Sequence, residues 1–234
     1  MRKFTSLLLD LFFPPRCAIC GEVTFISHAL CENCREVLQH RLEDKQLCPL
    51  CSKDKPSCIC HQTGGKLKCV SVFEYDEQTF ALLKSLKNKS DSPAAAELAA
   101  MMTKRLLSLG YKSSDFDYIT AVAPSKIRMD TFGFNHAEHL ARELSKILSV
   151  PYIEPPIVSC DSKTPQHSLT RAERYKNAES IYHPKPNAKI NGNVLLVDDI
   201  ITTGATLMRC QDILYMKGAK SVLCLTAATT QLKE

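Results

Sequence analysis

Two adjacent acids, Asp198 and Asp199, follow the apolar run Val194-Leu195-Leu196-Val197 and precede Thr202-Thr203-Gly204-Ala205-Thr206. An apolar run of this length, bounded by a turn signal at Asn191-Gly192-Asn193, reads as a strand buried on both faces, the pattern of a parallel sheet. The acids then fall at the strand's C-terminal end, where open α/β sheets place ligands. The residues after them offer hydroxyls and backbone N–H groups at the start of a helix-like segment. Such a loop suits phosphate, because unpaired N–H donors and the positive end of the helix dipole converge there. Carboxylates beside a phosphate cradle describe a sugar-phosphate site. Asp198 and Asp199 would take ribose hydroxyls, while Thr202, Thr203, Gly204, Ala205 and Thr206 hold the 5′-phosphate. The plainer alternative is a buried strand with a polar loop after it. Two rival nucleotide sites are excluded, because the chain contains neither G-x-x-x-x-G-K-[S/T] nor G-x-G-x-x-G.

Cysteine spacing makes a second constellation. Of twelve cysteines, Cys17, Cys20, Cys31 and Cys34 form two C-x2-C pairs, and Cys48, Cys51, Cys58 and Cys60 form a second quartet. Short C-x2-C turns present two sulfurs to one ion, so each quartet suits a closed tetrahedral zinc site. The C-x-C of Cys58 and Cys60 is the irregular member, and His61 is an alternative ligand to Cys60. Disulfides are the competing reading, and they need an export signal. Met1-Arg2-Lys3 with Leu7-Leu8-Leu9-Asp10-Leu11-Phe12-Phe13 imitates one, but Asp10 interrupts the apolar stretch and no cleavage site follows. The expectation is a short apolar helix on a cytoplasmic protein with no membrane span. Cys69, Cys160, Cys210 and Cys224 stand among apolar residues and read as small core residues.

Around these sites the elements alternate. Cys69–Tyr75, Tyr118–Ala123, Val194–Val197 and Ser221–Ala227 read as strands. Thr79–Lys87, Ala94–Leu109, Asn135–Leu148 and Thr206–Lys217 read as helices. Asn135 is a candidate N-cap, with Leu140, Ala141, Leu144, Ile147 and Leu148 on one face. Alternation of this kind predicts an α/β fold with a parallel sheet flanked by helices. A linker-like His61-Gln62-Thr63-Gly64-Gly65 divides a small metal-stapled domain, 1–65, from a larger one, 66–234. At 234 residues, 44% hydrophobic and 24% charged, the chain is globular. A formal charge of +5 suits an anionic substrate and is too weak alone to argue for nucleic acid.

The run Val194–Thr206 resembles the signature of type I phosphoribosyltransferases, which bind phosphoribosyl pyrophosphate. Three further blocks are similar to the ComF-like branch of that family, which carries a double zinc ribbon ahead of the transferase-like domain. They are Leu8-Leu9-Asp10-Leu11-Phe12-Phe13-Pro14-Pro15-Arg16-Cys17, then Ala123-Pro124 with Arg128 and Gly133-Phe134-Asn135, and then Gln166, Leu169, Arg171, Arg174 and Asn177. The order is the family's, and it spans nearly the whole chain. Departures stand at Asn88, Val122, Ser125, Phe132 and His136, where the family commonly has an aromatic, Pro, Leu, Arg and Gln.

The resemblance implies a type I phosphoribosyltransferase-like sheet domain behind a zinc-ribbon domain with two structural zinc ions. It also implies Mg²⁺ bound with phosphoribosyl pyrophosphate near Asp198 or Asp199. Pro124-Ser125-Lys126 with Arg128 becomes the expected pyrophosphate loop. Arg128, Arg171 and Arg174 are the expected catalytic cations, and Lys163, Arg171, Arg174 and Lys176 lie on an expected mobile lid. A solvated basic loop is the alternative for those four. His136 reads as a partly exposed side chain without a chemical task, in preference to a general base. Two functions stay open. One is a phosphoribosyltransferase acting with an unidentified base, linked to DNA uptake and competence. The other is a non-catalytic sensor of phosphoribosyl pyrophosphate that binds single-stranded DNA among the DNA-uptake proteins.

Overall fold

A computed structural model describes residues 14–25, 27–42, 66–86, 93–124, 134–160 and 171–230. The elements are α1 (Glu32–Leu42), β1 (Cys69–Glu74), α2 (Glu77–Leu86), α3 (Pro93–Ser108), β2 (Tyr118–Ala121), α4 (His136–Leu148) and β3 (Ile157–Ser159). They continue with α5 (Arg171–Ile181), β4 (Tyr182–Pro184), β5 (Gly192–Ile201), α6 (Ala205–Met216) and β6 (Ala219–Thr229). Four strands form one sheet in the order β1-β6-β5-β2, with every pair parallel. β3 and β4 make a small antiparallel pair beside it. This is the expected α/β class, a parallel sheet flanked by helices.

The alternation of β5 explains its burial. Leu195 and Val197 meet Leu98, Met102, Leu140 and Leu144 of α3 and α4 on one face. Val194 and Leu196 meet Leu207, Cys210, Ile213 and Leu214 of α6 on the other. A strand covered on both sides needs apolar residues at every position, which is why this one lacks polar alternation. The free edge at β2 is continued by residues 151–153, where Ile119 donates its N–H to the Pro151 carbonyl and accepts from Ile153.

The expected strand stopped at Val197, but β5 runs from Gly192 through both acids to Ile201. Register with β6 carries it onward, pairing Asp198 with Thr226 and Ile200 with Ala228. Part of the expected turn signal therefore lies inside the strand. Ile147, expected on the apolar face of α4, is 45% exposed, and Cys160, expected in the core, is exposed. Arg174 and Lys176, expected on a loop, are on α5. That helix shows almost no apolar periodicity, and its register is held from outside, by the Tyr175 hydroxyl on Asp212 and by burial of Ala178 and Ile181.

The zinc-binding segment shares the main core. Leu30, Leu38 and Leu42 are buried in the same cluster as Val70, Leu82, Leu98 and Met102. Arg35 pairs with Glu97 at 2.7 Å, and Arg41 pairs with Asp76 at 2.6 Å. The expected boundary at 65, the N-terminal apolar helix and the linker lie outside the described residues.

Candidate functional site

The C-terminal rim of the sheet is a topological switch point. β2 and β5 are neighbours, yet the helix after β2 (α4) packs on one face and the helix after β5 (α6) on the other. In open α/β sheets the ligand crevice lies at such a point, here at the C-terminal ends of β2 and β5. Asp198 lies at this rim and is 6% exposed, its Oδ1 accepting the Asp199 N–H at 2.9 Å. Asp199 is half-buried, and its Oδ1 accepts the Ile200 N–H at 2.8 Å. Behind them, burial and then the Asp198 charge push the Cys210 thiol up, so it stays a neutral packing group.

The loop after β5 begins α6 without a side-chain cap. Its N-cap is Gly204 at φ +79°, a left-handed conformation that glycine alone adopts readily. The N–H groups of the first turn have no acceptor within the helix, so with the positive end of the dipole they point toward the C-terminal rim. Thr202 is exposed and Thr206 half-buried, while Thr203 is buried and less available as a donor to a ligand.

Across the crevice, Val122 donates its N–H to the Val197 carbonyl and so prolongs the pairing of β2 with β5. Asn135 is the N-cap of α4, accepting from the Ala137 N–H, and its amide donates to the Val122 carbonyl at 2.9 Å. One side chain thus ties together the two ends of the loop that leaves β2. Ser125, Lys126 and Arg128 belong to that loop and lie outside the described residues, as do Lys163, Gln166 and Leu169 and the side chain of Arg171. His136 is 5% exposed, not partly exposed as expected, with its ring edge-on to Phe134 at 4.9 Å.

At the other end of the chain, the Sγ atoms of Cys17, Cys20, Cys31 and Cys34 all lie within 4.8 Å of one another, with Cys20 and Cys31 3.6 Å apart. A tetrahedral Zn–S₄ site with bonds of about 2.3 Å has sulfurs about 3.8 Å apart, so these thiols fit zinc. Gly21, at φ +76°, makes the first turn, with its N–H on the Cys17 carbonyl. The second pair is set by the start of α1. Burial pushes the Cys17 thiol up, but N–H groups of Cys20, Cys31 and Ile19 outweigh it and lower the thiol to about 6, toward the thiolate zinc requires. Cys48, Cys51, Cys58, Cys60 and His61 lie outside the described residues.

Residues 8–71 match the double zinc ribbon domain family. The chain is 27% identical to the DNA utilization protein YhgH of Salmonella typhi, over 91% of this chain and 96% of that protein. It is 25% identical to the competence protein ComFC of Streptococcus pneumoniae, over 88% of this chain and 96% of that one. The chain is ComFC-like, with a zinc ribbon at its N-terminal end. The solved structure of TT1426 from Thermus thermophilus covers 60% of this chain at 14% identity and a TM-score of 0.35. That overlap is too loose to add to the strand order itself.

The structure brings Asp198, Asp199 and residues 202–206 of the ComFC-like chain to the C-terminal rim and sets Asn135 beside them, at the end of β2. Arg174 and Lys176 stand apart on α5. Sequence reasoning missed Tyr75, which follows β1 and lies within electrostatic reach of Asp199. Its signal was slight, a single aromatic at the end of a strand. Two grooves lie away from Asp198, one of about 580 Å³ lined by α3, α4, Ser27 and Tyr152, the other of about 370 Å³ between α1 and α3. Among the described residues, no helix is long and apolar enough to cross a membrane.

Proposed function

We propose that the crevice binds phosphoribosyl pyrophosphate with Mg²⁺ and exchanges its pyrophosphate for a nitrogenous base, in the service of DNA uptake. One observation carries the reading: a buried carboxylate and its half-buried neighbour near the C-terminal end of β5, followed by a helix start without a side-chain cap, at a switch point of a parallel sheet. A sugar phosphate needs both halves, acceptors for its hydroxyls and donors for its phosphate. Asp198 and Asp199 accept from the ribose hydroxyls, and the N–H groups of residues 204–206 with the Thr202 and Thr206 hydroxyls donate to the 5′-phosphate. Both carboxylates fit a hard cation held chiefly by ligand oxygens, and that ion would neutralise charge on the pyrophosphate.

The loop leaving β2, with Ser125, Lys126 and Arg128, is assigned to the pyrophosphate, and Arg171 and Arg174 to charge on its departure. In the step itself, a ring nitrogen's lone pair forms the bond to ribose C1. The C1–O bond breaks, pyrophosphate leaves with that electron pair, and the nitrogen's proton passes to water. The chain's contribution is to hold the ribose while charge moves to the pyrophosphate.

The alternative is a non-catalytic sensor that binds single-stranded DNA. The relatives named for DNA utilization and competence favour a DNA-linked role, and the two grooves beside the ribbon carry Arg35, Lys104, Arg142 and Lys146. Arg35, Arg142 and Lys146 each already hold a carboxylate, so the field available to a phosphate backbone is weak. Calorimetric titration with phosphoribosyl pyrophosphate, with and without Mg²⁺, tests the shared site. Saturable binding that Mg²⁺ strengthens is expected, and no heat under either condition refutes the site. Pyrophosphate release across a panel of bases then separates enzyme from sensor.

A further inference from the structure

The sheet continues past its last formal pairs at the C-terminal rim. Tyr75 donates its N–H to the Thr229 carbonyl at 2.8 Å, and Thr230 donates to the Ile201 carbonyl at 3.0 Å. These bonds set Tyr75, Thr230 and Thr202 side by side across three strand ends, with Tyr75 about two strand spacings, or roughly 10 Å, from the phosphate loop. The Tyr75 ring is 37% exposed and rests edge-to-face against Phe80, itself 43% exposed, with centroids 5.9 Å apart.

The residue after it cannot drift. Asp76 accepts the Thr79 N–H and pairs with Arg41 of the ribbon helix. An exposed aromatic pair thus stands at the β1 end of the rim, two strands from β5 and three from β2. Burial, and after it the Asp199 charge, raises the Tyr75 hydroxyl, so the ring and the carboxylate share one environment.

The direction of the chemistry decides what belongs there. A nucleophile enters ribose C1 on the side opposite the leaving group. If pyrophosphate leaves toward β2, as proposed above, the incoming ring approaches from the β6–β1 side. We propose that Tyr75, backed by Phe80, is the wall on which the planar heteroaromatic ring rests, and so a specificity-determining residue of the site. This rests on the reading of the crevice as a ribose-phosphate site. The ring face is the recognising feature, and a planar base stacks on it regardless of its edge pattern.

The test uses the full chain and two kinds of probe. Phosphoribosyl pyrophosphate with Mg²⁺ carries no ring. The 5′-monophosphates of adenosine, guanosine, cytidine and uridine carry the same sugar phosphate with one. Calorimetry on the wild type, Tyr75→Phe, Tyr75→Leu and Tyr75→Ala should show ring-free ligand bound within about twofold throughout. At least one monophosphate should bind the wild type and Tyr75→Phe alike, and bind Tyr75→Ala and Tyr75→Leu about 5- to 150-fold more weakly. Equal weakening of both probes overturns the proposal in favour of a scaffolding role. So does an unchanged monophosphate affinity, or a Tyr75→Phe loss as large as that of Tyr75→Ala. Wild type that binds the ring-free probe and no monophosphate also overturns it. Wild type that binds neither refutes the ribose-phosphate site itself. Tyr75→Leu keeps the side-chain bulk, so it decides the matter should Tyr75→Ala fail to fold.

Discussion

Asp198 and Asp199 are consecutive residues of one strand, so their side chains project to opposite faces. That is why one is buried against α6 while the other faces Tyr75 and water. In the proposed complex the two acids would reach the ribose from different sides. Replacing both with Asn retains size and hydrogen bonding but removes charge. Affinity for phosphoribosyl pyrophosphate should fall about 10- to 100-fold with an unchanged circular dichroism spectrum. Near-normal affinity would refute the assignment. A second residue-scale expectation concerns Asp76. Burial raises its carboxyl, but the Thr79 N–H and hydroxyl and the Arg41 guanidinium outweigh burial and hold it below the usual range. A depressed folded-state value contributes stability above the ordinary value of about 4, and that contribution is lost as pH falls through the folded value. Melting temperatures of wild type and Asp76→Asn should differ at neutral pH and converge below about pH 4. A gap that stays constant with pH would contradict this.

Among elements, the turn from β5 into α6 depends on one backbone angle. Gly204 at φ +79° lets the chain reverse from strand to helix within three residues. A β-branched residue there pays about 1–2 kcal/mol for the left-handed conformation or abandons it. Gly204→Val should then lose ligand binding by a larger factor than it loses stability, because the first-turn N–H groups are re-aimed. Binding and thermal melting, measured together, check this. The ribbon helix α1 depends on packing. Leu38 is fully buried between the knuckle cysteines and the sheet domain. Leu38→Ala should destabilise the whole protein by about 2–5 kcal/mol in denaturant titration. A loss confined to the ribbon, with the sheet's transition unmoved, would show that the shared core carries little of the stability.

For the whole molecule, the segment that carries the metal site and the sheet share one buried apolar cluster. Zinc would fix Cys31 and Cys34, which flank the start of α1, and α1 buries Leu38 and Leu42 in the core with residues of α2 and α3. From the sequence, a domain 66–234 would bury its own sheet without help. The shared cluster argues instead that chelation lowers the melting temperature of the sheet itself, since metal binding and folding here are one free energy. Calorimetry of the chelated and zinc-loaded protein, read by a probe within the sheet, decides the question. An unmoved sheet transition would restore the two-domain picture. Metal analysis should return two zinc ions per chain if Cys48, Cys51, Cys58 and Cys60 close a second site, and one if they do not.

By itself the sequence determined the features that depend on neighbours along the chain. C-x2-C turns bring two sulfurs together whatever surrounds them, so the zinc quartet of Cys17, Cys20, Cys31 and Cys34 was legible. So were the apolar strand 194–197 and the Asn135 cap, because burial on both faces and side-chain capping leave local signatures. The features that need a partner elsewhere were not. β5 extends through Asp198 and Asp199 because β6 lies beside it, and α5 forms without apolar periodicity because α6 and β4 hold it. His136 is buried where a first-turn histidine would ordinarily face water. Tyr75 joins the rim through a hydrogen bond to Thr229, far away in the chain. Only the tertiary structure decided these, since strand register and shared burial are set by contacts between distant segments.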